Sequence, residues 1–193
     1  MSGAAERCGP VGVGSLSPTA AGRLQAAGLE LRVRRLRRRF TVKKRVLFVC
    51  LGNICRSPMA EAMFRAKVRE AGLEHVIEID SAGTGSWNVG KPPDPRAVRT
   101  AAHYGVELGG RARQLSAGEL SRWDMIIVMD QSNYDDVLGL GAPADKVYKL
   151  RDFDPEGPGD VPDPYYGSEA GFHDTYRIIE RSLPGLLDAL LAR

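Results

Sequence analysis

Beyond residue 43, short continuous runs of hydrophobic residues alternate with segments in which hydrophobic residues recur at helical spacing. Four short runs rich in Val and Ile predict strands at Arg45–Val49, Val76–Ile79, Met125–Met129 and Val147–Leu150. Segments with helical spacing predict helices at Pro58–Ala71, Pro95–Tyr104, Ala117–Ser121, Ser132–Leu138 and Ser168–Leu191. We expect Pro184 to bend or split the last helix. This alternation predicts an α/β fold: a doubly wound, four-stranded parallel sheet with helices on both faces, in three layers.

Charge separates the N-terminal region from the rest of the chain. Residues 1–45 carry eleven Lys and Arg against two Asp and Glu, a net +9, whereas the remainder carries 16 basic and 22 acidic residues, a net −6. We interpret residues 1–43 as a basic, disordered extension and residues 44–193 as one domain. The alternatives for the Arg-rich segment are an organellar targeting signal and a binding site for acidic surfaces. A mildly acidic domain argues against a nucleic-acid partner.

Apolar runs and cysteines indicate the compartment. No apolar run is long enough for a signal-peptide core or a membrane span, so we expect no membrane partner. The chain has three cysteines, which gives no disulfide framework. We therefore expect a reducing, cytoplasmic location.

The segment from Cys50 to Ser57 lies between the first predicted strand and the first predicted helix. In doubly wound sheets, ligands bind at the carboxyl ends of the strands, and Cys50 stands at such an end. Ser57 has the type of an N-cap and Pro58 that of a first helical residue, so the loop should face the positive end of a helix. Five residues separate Cys50 from Arg56. This arrangement suits a thiolate nucleophile built around a phosphate.

The loop has the residue types that an anion cradle needs. Gly52 and Asn53 accept left-handed backbone angles, which allow the amides to turn inward toward one anion. Arg56 offers a bidentate fork for phosphate oxygens. The positive field favours the thiolate of Cys50, and the Ser57 hydroxyl is placed to donate to the sulfur. The predicted phosphate-binding residues are Leu51, Gly52, Asn53, Ile54, Cys55, Arg56 and Ser57.

The run from Val46 through Cys50 to Pro58 resembles the signature of the low-molecular-weight protein tyrosine phosphatases. Further matches, in the family's order, lie at Asp80–Thr84, Ala112–Gln114, Met129–Asn133 and Asp163–Gly167. The resemblance extends from about Arg45 to the C-terminus. It implies a flavodoxin-like fold of the phosphotyrosine phosphatase I type, and hydrolysis of phosphotyrosine and small aryl phosphates through a phosphocysteine, with no metal or cofactor.

A tyrosine leaving group has a pKa of about 10, so a proton donor at the leaving oxygen speeds its departure. Three Asp-Pro pairs, at Asp94, Asp154 and Asp163, compete for this role. The residues alone leave the choice open, because Asp-Pro is a common turn. The resemblance implies that Asp163 is the general acid and then the general base.

The resemblance also assigns roles around the loop. Trp87, Tyr165 and Tyr166 would form the aromatic walls of a slot for a phenyl ring; otherwise they are packing residues. The polar support of the loop would be Asn53, Ser57, Ser81, Asp130 and Asn133, the last two bonding loop backbone. Some relatives add a histidine to this network near Gly109-Gly110, and this chain has none there.

Cys55 lies in the same loop as Cys50. The resemblance favours a reversible disulfide between them that protects the nucleophile from further oxidation. The alternative is a small buried residue that fills the loop.

Three other functions compete with that of a tyrosine phosphatase. Relatives that act on phosphoarginine have threonine where this chain has Ile54, so a protein-arginine phosphatase is the nearest alternative. A thioredoxin-coupled arsenate reductase needs two more cysteines downstream, and none follows Cys55. A non-catalytic anion-binding module would have no use for Cys50 together with Asp163, and the chain lacks a dinucleotide-binding or Walker pattern. We expect tyrosine-phosphorylated proteins as partners, a bacterial-type tyrosine kinase among them, and a monomer or weak homodimer.

Overall fold

The computed structural model of the protein describes residues 43–193; apart from Lys43, the predicted basic extension lies outside them. The described residues form four strands, β1 (Lys44–Cys50), β2 (Ile77–Gly83), β3 (Met125–Val128) and β4 (Val147–Lys149). All pair in parallel, in the order β2-β1-β3-β4. The predicted four-stranded parallel sheet is confirmed.

The helices are α1 (Arg56–Glu70), α2 (Pro95–His103), α3 (Gln131–Gly139) and α4 (Glu169–Ala192). Three short 3-10 helices lie at Ala117–Arg122, Ala144–Lys146 and Leu150–Phe153, and the first takes the place of a predicted helix. Of the two effects predicted for Pro184, a bend or a split of the last helix, the split is wrong, because α4 is continuous through it. Buried Leu183 and Leu186, on either side of Pro184, hold the helix together across the missing hydrogen bond. Within residues 43–193, no helix combines the length and apolarity that a membrane span needs.

The sheet is covered on both faces. Alternate residues of β1 point to opposite sides, so Val46 and Phe48 join the cluster that includes residues of α1, α2 and α4. Leu47 and Val49 join the second cluster with Val137 of α3. The three-layer, doubly wound architecture is therefore confirmed, and its layers bury β1 from Val46 to Cys50.

The start of α1 differs from its prediction. The helix begins at Arg56 with Cys55 as its N-cap, so the assignment of Ser57 as N-cap is wrong. Pro58 is then the third helical residue, where its missing N–H still has no intrahelical partner, so proline fits there equally well. The Ser57 side chain turns to the Cys50 sulfur instead. At the start of α2, the Asp94 carboxylate caps the helix by accepting from the Arg96 amide.

Candidate active site

Cys50 closes β1 and lies at the floor of a cleft of about 240 Å³. Its side chain belongs to the buried core at 3% exposure. Asn53 has φ +52°, the left-handed conformation that the sequence predicts, and its amide donates to the Cys50 sulfur at 3.3 Å. Gly52 has no positive φ, contrary to expectation. A Cβ at Gly52 would lie 2.7 Å from the Asn88 amide nitrogen, so this glycine permits a close approach rather than a special backbone angle.

The loop between β1 and α1 leaves backbone amides available. Within residues 43–193, the amides of Gly52, Ile54 and Cys55 donate to no other protein group. They stand ahead of the N-terminus of α1, where the helix dipole adds positive potential. This geometry suits an anion, and the same potential favours an ionised sulfur.

Three buried polar side chains connect behind the loop. The Asn53 amide nitrogen donates to Ser57 Oγ and to Ser81 Oγ, each at 2.9 Å. Its oxygen accepts from the Arg113 amide at 2.9 Å. Ser57 Oγ in turn lies 3.0 Å from the Cys50 sulfur. The structure thus brings the predicted Asn53, Ser57 and Ser81 into one network that ends on the Cys50 sulfur.

Arg56 joins three loops at the cleft floor. Its side chain is only 3% exposed, and its Nη1 donates to Asp130 at 2.5 Å and to the Val161 carbonyl at 3.0 Å. Its Nη2 donates to Asp163 Oδ2 at 2.7 Å. Burial lowers the pKa of Arg56, but the charges of Cys50, Asp163 and Asp130 outweigh it, and the pKa lies above its ordinary value. The guanidinium is therefore a permanent cation, fixed beside the sulfur.

Asp130 and Asn133 differ from their predicted contacts. One Asp130 oxygen caps α3 by accepting from the Asn133 amide at 2.8 Å, and the other binds Arg56. Asp130 therefore supports the arginine side chain rather than loop backbone. The Asn133 side chain is buried, and its oxygen has no partner among the described residues. Within residues 43–193, no hydrogen bond joins the Asn133 side chain to the loop.

The three Asp-Pro aspartates occupy different environments. Asp163 lines the cleft, 38% exposed, with one oxygen on Arg56 and the other accepting from the Tyr165 amide at 3.0 Å. Hydrogen bonds from Arg96 lower the pKa of Asp94, which caps α2. Asp154 is bound by two arginines, Arg151 and Arg181. Of the three, Asp163 alone lines the cleft, as the resemblance implies for a general acid.

The cleft walls carry the predicted aromatic side chains. Trp87, Tyr165 and Tyr166 all line it, and all are exposed, Tyr166 by 96%. Two further lining residues, Asn88 and Lys91, were missed; the Lys91 ammonium donates to the Asn88 amide oxygen at 3.0 Å. No motif marks them in the sequence, and their position just after Trp87 is the single available signal.

Cys55 also lines the cleft, as a buried free thiol like Cys50. Burial, with smaller effects from Asp94 and Cys50, raises the pKa of Cys55 well above its ordinary value. The Cys55 thiol therefore stays protonated. The redox pairing of these two sulfurs stays a prediction.

Comparison with known proteins agrees with this geometry. The family described as "Low molecular weight phosphotyrosine protein phosphatase" matches residues 45–193. A low molecular weight protein-tyrosine-phosphatase of Streptomyces coelicolor is 46% identical over 153 residues, covering 76% of this chain and 93% of that protein. A low molecular weight phosphotyrosine protein phosphatase of Sus scrofa is 40% identical over 151 residues, covering 76% and 96%. A crystal structure of a protein tyrosine phosphatase from Entamoeba histolytica superposes with a TM-score of 0.74 at 36% identity, covering 77% of this chain and 97% of that one. The chain therefore belongs to the low molecular weight phosphotyrosine protein phosphatase family.

Proposed function

We propose that this protein hydrolyses phosphotyrosine in proteins, and small aryl phosphates, through a phosphocysteine at Cys50. One observation carries the proposal. The Cys50 sulfur lies between the Ser57 hydroxyl and the Asn53 amide, at the floor of a cleft that also holds Arg56 and Asp163. A nucleophile, an anion clamp and an acid thus converge on one small volume.

In the first step, the phosphate dianion enters the loop and binds the free amides and the Arg56 fork. It replaces the Asp163 carboxylate on Nη2, and the freed Asp163 takes up a proton from solvent and faces the leaving oxygen. The Cys50 thiolate attacks phosphorus as the bond from phosphorus to the phenolic oxygen breaks. Asp163 in its acid form gives its proton to that oxygen, so tyrosine leaves neutral.

In the second step, water hydrolyses the phosphocysteine. The Asp163 carboxylate takes a proton from the water, whose oxygen attacks phosphorus as the sulfur–phosphorus bond breaks. Inorganic phosphate leaves, and the sulfur returns as a thiolate, stabilised by Ser57 and Asn53. Asp163 is again protonated for the next turnover.

The cleft favours an aromatic substrate. Trp87 and Tyr165 offer faces on which a phenyl ring can stack, and apolar Ile54 lines the same cleft. A guanidinium would find no hydrogen-bond acceptor on Ile54, which argues against phosphoarginine. We expect tyrosine-phosphorylated proteins as substrates, a bacterial-type tyrosine kinase among them. We place the enzyme in the cytoplasm, acting as a monomer or weak homodimer.

A panel of phosphopeptides tests the proposal, with phosphate release as the readout. We expect turnover of para-nitrophenyl phosphate and phosphotyrosine peptides, lost in Cys50→Ser, and little turnover of phosphoserine. Glu70→Gln is the control, because Glu70 is an exposed residue at the end of α1. Faster turnover of phosphoarginine than of phosphotyrosine, or full activity in Cys50→Ser, would contradict the proposal.

We also propose that Cys55 protects the nucleophile under oxidation. Peroxide converts the Cys50 thiolate to a sulfenic acid; the Cys55 thiol attacks that sulfur, water leaves and a disulfide forms. A dithiol reductant then restores both thiols. Peroxide-treated enzyme should regain activity with dithiothreitol, and Cys55→Ala should lose that recovery. Equal recovery in both proteins would contradict the role.

A further inference from the structure

Arg96 lies in the first turn of α2, outside the lining of the cleft, and has no part in the mechanism above. Its guanidinium is held by the buried carboxylate of Asp94. Nε donates to Oδ1 at 3.0 Å, and Nη2 donates to Oδ2 at 2.8 Å. A two-point contact of this kind fixes the plane of the guanidinium as well as its charge. Arg96 is therefore a cation with a defined orientation.

Two aromatic rings lie within cation–π distance of this guanidinium. Its carbon is 4.7 Å from the centre of the Phe172 ring, which is buried in α4. The same carbon is 5.5 Å from the centre of the Tyr165 ring, which lines the cleft. The amide of Asp94 donates to the Ile54 carbonyl of the phosphate loop at 2.8 Å. The pair of Asp94 and Arg96 thus connects the phosphate loop, α4 and one wall of the cleft.

Tyr165 lies two residues after Asp163, the proposed general acid. The Tyr165 amide donates to Asp163 Oδ1 at 3.0 Å, so the position of Tyr165 constrains the carboxyl group. With Oδ1 already accepting this bond, Oδ2 is the oxygen that can carry a proton to the leaving group. Within residues 43–193, the ring of Tyr165 contacts the ring of Tyr166, its neighbour in the chain, and the guanidinium of Arg96. Arg96 is therefore the contact that ties this ring to a helix.

We propose that Arg96 is a positioning residue for the proton-transfer step. Its guanidinium, fixed by Asp94, holds the ring of Tyr165, and the amide of Tyr165 then holds the Asp163 carboxyl group toward the leaving oxygen. The inference rests on the proposed function, in which Asp163 is the general acid. Phosphate binding should not depend on Arg96, because the phosphate loop is held by the backbone amide of Asp94, which a change at Arg96 leaves in place.

A purely structural role at the start of α2 predicts a different result. The helix cap uses the backbone amide of Arg96, which donates to Asp94 Oδ1 at 2.8 Å. Arg96→Met therefore keeps the cap and an apolar stem, but it removes the fork and the charge. Arg99→Met is the matched control on the same helix. The exposed guanidinium of Arg99 pairs with Glu169 in the first turn of α4, away from Tyr165.

The test compares aryl phosphates whose leaving groups differ in pKa, with kcat/KM as the readout. In Arg96→Met, we expect kcat/KM for phenyl phosphate to fall by about fivefold, as for the loss of one cation–π contact. For para-nitrophenyl phosphate, whose leaving group needs less protonation, the loss should be less than about twofold. Arg96→Lys keeps a cation near the ring and should show the same order of losses at smaller size. Inhibition by orthovanadate should be unchanged, and Arg99→Met should match the unmutated protein.

A double variant separates the ring contact from any effect of the unpaired Asp94 carboxylate. Tyr165→Ala removes the ring, so adding Arg96→Met to it should change kcat/KM for phenyl phosphate by less than about twofold. Three results would each overturn the inference: equal losses for both esters in Arg96→Met, the same loss with and without the Tyr165 ring, and an unchanged kcat/KM. Failure of the proposed function is a separate result, because the unmutated protein would then hydrolyse neither ester.

Discussion

Asp154 offers a quantitative test of the structure outside the cleft. Its side chain is 0% exposed; Oδ1 accepts from Arg181 at 2.9 Å and from the Glu156 amide at 2.9 Å, and Oδ2 accepts from Arg151 at 2.9 Å. Burial opposes ionisation, but these hydrogen bonds outweigh it and lower the pKa of Asp154 to about 2 from its ordinary 3.8. Because this carboxylate binds Arg181 of α4, it holds the loop that leads to Asp163 against that helix.

The magnitude of the effect follows from the pKa shift. One unit corresponds to about 1.4 kcal/mol, so ionised Asp154 contributes about 2 kcal/mol to the free energy of unfolding at pH 7. The folded-state pKa is depressed, so the contribution is complete above the unfolded-state pKa. It declines as the pH falls toward the folded-state pKa, and it is absent below both. Asp154→Asn should therefore unfold more easily by about 2 kcal/mol at pH 7, with the difference shrinking toward pH ~3.

Urea unfolding followed by tryptophan fluorescence measures this difference, since Trp123 is a buried reporter. The matched control is Asp174→Asn, whose carboxylate is 69% exposed and pairs with Arg177 along α4. We expect the free energy of unfolding of this control variant to fall by less than about 0.5 kcal/mol. A loss in Asp154→Asn as small as in the control, or one that stays constant between pH 7 and pH ~3, would refute the argument.

Three further changes address the cleft. Asp163→Ala should lower kcat by about 100-fold for phenyl phosphate and much less for para-nitrophenyl phosphate, since a better leaving group needs less protonation; equal losses would argue against an acid role. Gly85→Ala places a Cβ 2.3 Å from the Trp87 indole, so the ring must move, and KM for aryl phosphates should rise several-fold while inhibition by inorganic phosphate is unchanged. Arg56→Lys keeps the charge but loses the fork, so phosphate affinity and kcat should both fall by at least about tenfold; retained activity would show that charge alone suffices.

The two central strands were predictable because each carries a short apolar run that the sheet buries on both faces. The β1 residues Val46–Val49 read as strand in the sequence and are fully buried. The start of α1 was not predictable in the same way. A serine before a proline has the pattern of a cap, but here the Ser57 hydroxyl finds a sulfur seven residues earlier. The contact between Ser57 and Cys50 depends on the path of the loop in the folded protein, which local sequence preferences do not show.

The residues of the cleft, too, were predictable only in part. The loop residues from Cys50 to Arg56 are contiguous, so their convergence could be read from spacing. Asp130 and Asp163 reach Arg56 across 74 and 107 residues, and sequence spacing carries no information about such contacts.

The central claim is an ionised Cys50 sulfur inside an anion-binding loop, and selective alkylation tests it most directly. Iodoacetamide at pH ~6.5 with peptide mapping by mass spectrometry compares Cys50 with Cys55 in one sample. We predict fast labelling of Cys50, little labelling of Cys55, and strong protection of Cys50 by orthovanadate. Slow labelling of Cys50, at the rate of an ordinary thiol and unaffected by orthovanadate, would contradict the account.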